Sequence, residues 1–253
     1  MRIKNTSWQG VGKWYNQLVN SDGHYYHQHV IIPKVLRLLN PKSTDSVLDL
    51  ACGQGVLARS LPKNVTYTGL DNAFNLIDTA KKIDPNYLHT FITHDITQPF
   101  PANVQQYEFV TIILALQNVE HPQQILDNAF KHLKPHGKFI IVINHPMFRI
   151  PRQTSWGIDE KNKLQYRRVN RYLSPLKIPI TTRPGKSQSP ITWSFHYPLS
   201  SFSIMLKTAG FGIELLEEWT SDKVSAGSNA KMENLARHEF PLFMAICALK
   251  LTK

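Results

Sequence analysis

Cysteine is the first scarcity. The 253 residues hold only two, Cys52 and Cys247, which excludes a disulfide-built scaffold and any four-cysteine zinc site. No apolar run reaches the roughly 18–20 residues that a membrane-crossing helix needs. The first ten residues, MRIKNTSWQG, lack the apolar stretch of a secretory signal. The expectation is a cytoplasmic protein with no membrane partner. Acidic residues are few as well, 18 against 29 Lys plus Arg, and the net charge is +11. Hydrophobic residues at 42% exclude wholesale disorder, and the length suits one large domain or one domain with an insertion.

Strand and helix signals alternate along the chain. Apolar residues at helical spacing, Val30, Ile31, Val35, Leu36 and Leu39, predict a helix over 25–39, with Pro33 marking either a kink or the start of a second helix. Strands are predicted at 46–50, 65–70, 88–93, 109–114 and 138–143, with helices at 56–61, 74–83 and 122–133 between them. That rhythm predicts a parallel sheet with helices on both faces. After the fifth strand it breaks. Residues 146–198 hold seven of the sixteen prolines. A structureless loop of that length is uncommon in a compact domain, so a cap is expected, with short strands at 178–181 and 191–195. A helix over 200–209, closed by Gly210, and strands at 213–219 and 242–251 complete the pattern. The loop from Ser221 to Glu239 then falls on the same edge of the sheet as the strand ends.

The basic excess is concentrated. Ten Lys and Arg residues and two acids lie between Met147 and Ser189, so eight of the eleven excess positive charges sit there. Such a segment attracts an anionic small molecule or nucleic acid when its charges converge, and is a solvated surface when they do not.

The first strand runs into Asp49-Leu50-Ala51-Cys52-Gly53-Gln54-Gly55. In an open parallel sheet ligands bind beyond the carboxyl ends of the strands. Gly53 and Gly55 permit a tight turn and close approach to the backbone. Asp71, at the end of the second strand, suits both hydroxyls of a ribose, and Asp95, after the third, suits an adenine amino group. Residues 53–58 also fit the G-x-G-x-x-A pattern of dinucleotide sites, with Asp71 at about the expected spacing of 20 residues. Asp49 argues for the other cofactor. A pyrophosphate gains little from a nearby carboxylate, whereas S-adenosylmethionine carries a sulfonium and an ammonium.

The run Val47-Leu48-Asp49-Leu50-Ala51-Cys52-Gly53-Gln54-Gly55, then Gly69-Leu70-Asp71, His94-Asp95-Ile96 and Leu133-Lys134-Pro135-His136-Gly137-Lys138 resembles the class I S-adenosylmethionine-dependent methyltransferase family, in particular its small-molecule members with one Rossmann-like domain. The resemblance covers residues 45–145 and 199–251. It implies an α/β fold: a doubly wound, seven-stranded Rossmann-like sheet with its last strand antiparallel and a cap inserted after strand five. The chain then divides into an N-terminal helical lid (1–44), the Rossmann-like domain (45–145 and 199–253) and the basic cap (146–198). By the same resemblance, Asp49, Ala51, Gly53 and Gly55 would hold the methionine part of S-adenosylmethionine, and Asp71 and Asn72 the ribose. Asp95 and Ile96 would hold the adenine, and Leu114, Ala115 and Leu116 would run toward the transferable methyl.

The family has no universal catalytic residue. His145, at the end of strand five, is the candidate base or acceptor-orienting residue. Gln117 and Asn118 stand where the family often has histidines and offer polar positioning groups. Tyr15, Tyr25, Tyr26 and His29, from the lid, and Trp193 and His196, from the cap, are the remaining acceptor-site candidates. Three histidines fall within six residues (His24, His27, His29), yet no spacing matches a zinc pattern, so no metal is expected. The predicted function is methyl transfer to a small-molecule acceptor. Its rivals are an RNA methyltransferase using the basic cap, a cofactor-binding scaffold without turnover, and a nicotinamide oxidoreductase.

Overall fold

The computed structural model describes residues 23–181 and 191–251. A π-helical turn, His27–Ile31, leads into α1 (Ile32–Leu39). Pro33 occupies the first turn of α1, where its missing N–H has no helical partner to lose. The Ile32 N–H reaches back five residues to the His27 carbonyl. Of the two readings of Pro33, the start of a second helix is the one found. Tyr15 of the predicted lid lies outside the described residues, as do Arg183 and Lys186 of the basic segment.

The alternation then follows: β1 (Ser46–Leu50), α2 (Val56–Ser60), β2 (Thr66–Asp71), α3 (Phe74–Ile83), β3 (His89–Thr93), β4 (Tyr107–Ile113), α4 (Gln123–Lys131) and β5 (Leu133–Asn144). Two hairpins come next, β6 (Thr154–Asp159) with β7 (Leu164–Val169), and β8 (Leu176–Thr181) with β9 (Ile191–His196). The chain closes with α5 (Leu199–Ala209), β10 (Phe211–Trp219), α6 (Ala230–Glu239) and β11 (Phe243–Lys250). The main sheet has seven strands in the order β10-β11-β5-β4-β1-β2-β3. β11 runs antiparallel to both neighbours, while β1 to β5 pair in parallel. This is the expected Rossmann-like sheet with its last strand reversed. Strand order reverses beside β1, which places the switch-point crevice at the carboxyl ends of β1 and β4.

Period-two alternation divides the core. Leu48, Leu50, Val110 and Ile112 face one side with Ile125 and Leu126 of α4 and Phe202 and Leu206 of α5. Val47 and Tyr67 face the other, with Val35 and Leu39 of α1, Leu57 of α2 and Ile77 of α3. Asp49 and Thr111 are therefore on the α1 side of the sheet.

Three sequence expectations need correction. β5 begins at Leu133 and not at Lys138. The cap holds a second hairpin, β6–β7, ahead of the predicted one. The expected loop from Ser221 to Glu239 contains α6, whose single buried residue is Ala236; a helix so polar has no apolar stripe to announce it. Phe240, just past it, packs edge-on against Trp156 of β6 and against Phe148, at 5.4 and 5.3 Å between ring centres. The β8–β9 hairpin is tied to the main domain: Ile178 and Phe195 are buried, and the Tyr197 hydroxyl donates to the Glu120 carbonyl at 2.6 Å. Among the described residues no helix is long and apolar enough to cross a membrane.

Candidate active site

Two cavities open at the carboxyl edge of the sheet. The first is lined by His27, Asp49, Ala51, Cys52, Gly53 and Gln54, among others. Asp49 is buried and accepts two hydrogen bonds, from the Tyr67 hydroxyl at 2.8 Å and the Thr111 hydroxyl at 2.7 Å. Sheet register brings these together. Thr111 is directly opposite Asp49 on β4. On β2, Gly69 is opposite Asp49, and a methyl there would stand 2.7 Å from the Cys52 sulfur and 3.0 Å from the Tyr67 ring. The missing side chain lets Tyr67 lean across to the acid. Burial pushes the Asp49 carboxyl up to about 6, against the pull of Thr111 and Tyr67.

Asp71 organises the turn. Its carboxylate accepts from the Gly53 N–H at 2.9 Å and from the Ala73 N–H at 2.8 Å. Burial raises its pKa, and those two N–H groups oppose the rise. A carboxylate has about four acceptor sites, so capacity for hydroxyl donors remains. Ala51 and Gly53 both take the left-handed conformation, at φ 57°. A methyl on Gly53 would meet nothing within 4 Å, whereas one on Gly55 would strike the Phe91 ring at 2.7 Å. Gly53 therefore presents open backbone to the cavity and Gly55 permits packing. The Nδ1 of His27, in the same cavity, is buried without a hydrogen-bond partner among the described residues, and burial lowers that imidazole to about 4.

An amino-acid-bearing adenosyl cofactor fits these observations. The cavity combines an acid whose two oxygens already accept from Tyr67 and Thr111, an exposed glycine backbone and an orphaned imidazole nitrogen. The other expected cofactor residues are arranged differently. Asn72 is exposed beside Asp71. Asp95 is exposed, and its Oδ1 accepts from the Thr97 N–H and hydroxyl at 3.0 and 2.8 Å. The side chains of Ile96 and Leu116 are in the core and Ala115 packs against it.

The second cavity lies beyond β4 and β5. Gln117, Asn144, His145, Arg149, Ser194 and His196 supply much of its polar lining. His145 is buried with both ring nitrogens engaged. Its Nδ1 accepts from the N–H groups of Met147 and Phe148 at 3.2 and 3.3 Å, and its Nε2 bonds Oε1 of Glu218 at 2.6 Å. Burial lowers its pKa and Glu218 opposes that. The His145 carbonyl also accepts from the Arg149 N–H at 3.0 Å, so the ring pins the turn that carries Arg149. Gln117 donates to the Leu114 carbonyl at 2.8 Å, and its Oε1 is buried without a partner among the described residues. His196 is bound through Nε2 to the Tyr172 carbonyl at 2.6 Å.

Of the other acceptor-site candidates, Asn118 donates to the same Leu114 carbonyl at 3.4 Å, and Trp193 lies under Lys177, 5.3 Å away. Tyr25 stacks on His29 at 4.4 Å and donates to Asp222 at 3.0 Å. Tyr26 meets the Phe243 ring edge-on at 5.6 Å and shares a hydrogen bond with Ser221 at 3.2 Å. Sequence reasoning missed His27, Tyr67, Thr111 and Arg149. His27 lay inside the flagged cluster, but its inward direction depends on the π turn. Tyr67 and Thr111 were legible only as strand residues, and Arg149 only as one of ten basic residues.

A family model described as a methyltransferase domain matches residues 23–216. The ubiquinone biosynthesis O-methyltransferase of Salmonella paratyphi A is 28% identical over 124 residues, 46% of this chain and 51% of that protein. The one from Coxiella burnetii is 30% identical over 131 residues, 49% and 56% of the two chains. The chain thus spans about half the length of the curated relatives it matches. In fold it is similar to an S-adenosylmethionine-dependent methyltransferase from Mesorhizobium loti, with a TM-score of 0.66 and 23% identity over 85% of this chain and 96% of that one. It is similar also to the glycopeptide N-methyltransferase MtfA, solved with S-adenosylmethionine, with a TM-score of 0.59 and 16% identity over 87% and 92%. The matched domain, the reversed last strand and the acid–glycine cavity at the switch point lead to one assignment: the chain belongs to the methyltransferase domain family, whose cofactor is S-adenosylmethionine.

Proposed function

We propose that this chain transfers a methyl group to a small-molecule acceptor, with the first cavity holding the cofactor and the second the acceptor. The observation that carries the reading is the placement of both cavities around the end of β4, with Ile113 lining one and Gln117 the other. The ubiquinone biosynthesis relatives, whose names state O-methylation, support a small-molecule acceptor.

When bound, S-adenosylmethionine supplies an electrophilic methyl on a sulfonium, so the protein's work is alignment and exclusion of water. Asp49 provides a carboxylate for the cofactor's cationic amino-acid end. Asp71 holds the glycine turn and offers its remaining lone pairs to the ribose, with Asn72 beside it. To Asp95 and the Ile96 backbone we assign the adenine, and to the backbone from Leu114 to Leu116 the path toward the second cavity. His145 serves there as a positioning residue, because its nitrogens are committed to Glu218 and to the turn before Arg149.

The test has two steps. Calorimetric titration with S-adenosylhomocysteine, with NADH as control, is expected to show binding of the first alone. Labelled S-adenosylmethionine is then incubated with the protein and a fractionated cell extract. Label in the small-molecule fraction supports the reading. Label that follows RNA and is released by ribonuclease overturns the acceptor class.

A further inference from the structure

The second cavity holds a cation with no counter-ion. Arg149 is partly buried, with its guanidinium 5.5 Å from the centre of the Phe243 ring. Among the described residues no carboxylate stands within ion-pair distance of it, and none of those lining the cavity is acidic. Glu218, the acid that meets the cavity-lining His145, is hydrogen-bonded to that imidazole. Arg167 adds to the imbalance. It donates to the Phe148 carbonyl and the Thr154 hydroxyl, both at 2.8 Å, and its charge and that of Arg149 repel, which adds to the lowering of the Arg167 pKa by burial. Burying a guanidinium without an acceptor is costly, and two near each other more so. A bound anion removes that cost. Arg167 already donates from Nε and one Nη to protein acceptors, whereas Arg149 lines the cavity with no such acceptor among the described residues, and a free planar fork matches a carboxylate accepting in bidentate fashion.

The rest of the lining describes the same molecule. Ile143, Ile150, Phe195 and Phe202 form apolar walls. The orphaned Oε1 of Gln117 requires a donor, which a hydroxyl or amino group supplies.

We propose that the second cavity binds a small carboxylic acid with an apolar body and a hydroxyl or amino group, its carboxylate on Arg149 and its donor on Gln117. This rests on the reading of that cavity as the acceptor site.

The full chain is first titrated with S-adenosylhomocysteine by calorimetry, which tests the cofactor site by itself. The loaded protein is then titrated with 4-hydroxybenzoate and with its uncharged methyl ester, and the Arg149 side-chain Nε–H signal is followed by NMR. The acid is expected to bind at least about tenfold more tightly than the ester and to shift the Arg149 signal. Arg149→Met is expected to erase the preference, and Arg149→Lys to keep part of it. Arg168→Met, which removes the same charge from an exposed position on β7, is expected to leave it intact. Equal binding of acid and ester, no binding of the acid at millimolar concentration, or a preference that survives in Arg149→Met would each overturn the proposal. If Arg149→Met does not fold, the NMR titration and Arg149→Lys decide. Cofactor binding without acid binding overturns this inference alone, whereas failure of cofactor binding overturns the reading beneath it.

Discussion

The two cavities at the sheet edge are built from opposite materials. The first is lined largely by one short stretch, residues 49–57, and contains buried acid. The second gathers side chains from four separated segments, near Gln117, Ile143 to Pro151, Ser194 to Tyr197 and Phe202, and contains an unpaired guanidinium. On the proposed reading, opposite charges at neighbouring sites would keep two ligands of opposite character in order. A cationic amino-acid end is favoured at Asp49 and disfavoured at Arg149, and an anion the reverse. The contrast is open to attack by substitution.

The largest effect is expected from Asp71→Ala, which leaves the Gly53 and Ala73 N–H groups without their acceptor and removes the group proposed to hold the ribose. S-adenosylhomocysteine affinity should fall by more than about 100-fold, roughly 3 kcal/mol, in a calorimetric titration. Asp49→Asn comes next, with a loss of about 10- to 100-fold and a distinct pH signature. The Asp49 carboxyl is raised to about 6. In the ligand-free protein its stabilising contribution is therefore fully present at low pH and lost as pH rises through about 6. The natural chain should lose about 1–3 kcal/mol relative to Asp49→Asn between pH 4.5 and 7.5 in urea unfolding. Cofactor affinity should rise over the same window in the natural chain only, because the cation needs the ionised acid. Equal pH profiles for the two proteins would show that Asp49 is neither the titrating group nor the partner of the cation.

Two glycines sharpen the comparison further. Gly69→Ala should cost about 1–3 kcal/mol of stability, because its methyl overlaps Cys52 and Tyr67. Gly53→Ala should cost about 1 kcal/mol from its positive φ, and weaken S-adenosylhomocysteine binding out of proportion to that. Thermal unfolding and titration of both variants separate packing from access. The smallest effect on the cofactor is expected from Gln117→Leu, within about threefold for S-adenosylhomocysteine binding. A larger change would show that the cavities are not independent.

Much of the molecule was legible in the chain. β1 to β5 announce themselves as short apolar runs between turn signals, and the acid–glycine turn needs only neighbouring residues to form. The basic cap was legible as composition but not as structure. Its first hairpin lacks a strong apolar alternation, and its arginines look alike in sequence. The structure separates them: Arg149 and Arg167 turn inward, Lys177 pairs with Glu120 at 2.9 Å, and Arg168 and Arg171 stay exposed. α6 was missed because it buries almost nothing.

The sequence alone determined the strand–helix alternation, the turn at 49–55 and the acids at its rim, because each depends on backbone preference and hydrophobic period within a few residues. Tertiary structure decided everything that depends on register and return of the chain. It set Thr111 and Tyr67 against Asp49, turned His27 into the first cavity, and left Arg149 without an acid beside Gln117. Those relations join residues up to 62 positions apart, and no local preference specifies them; they arise when seven strands find their order and the cap folds back over their ends.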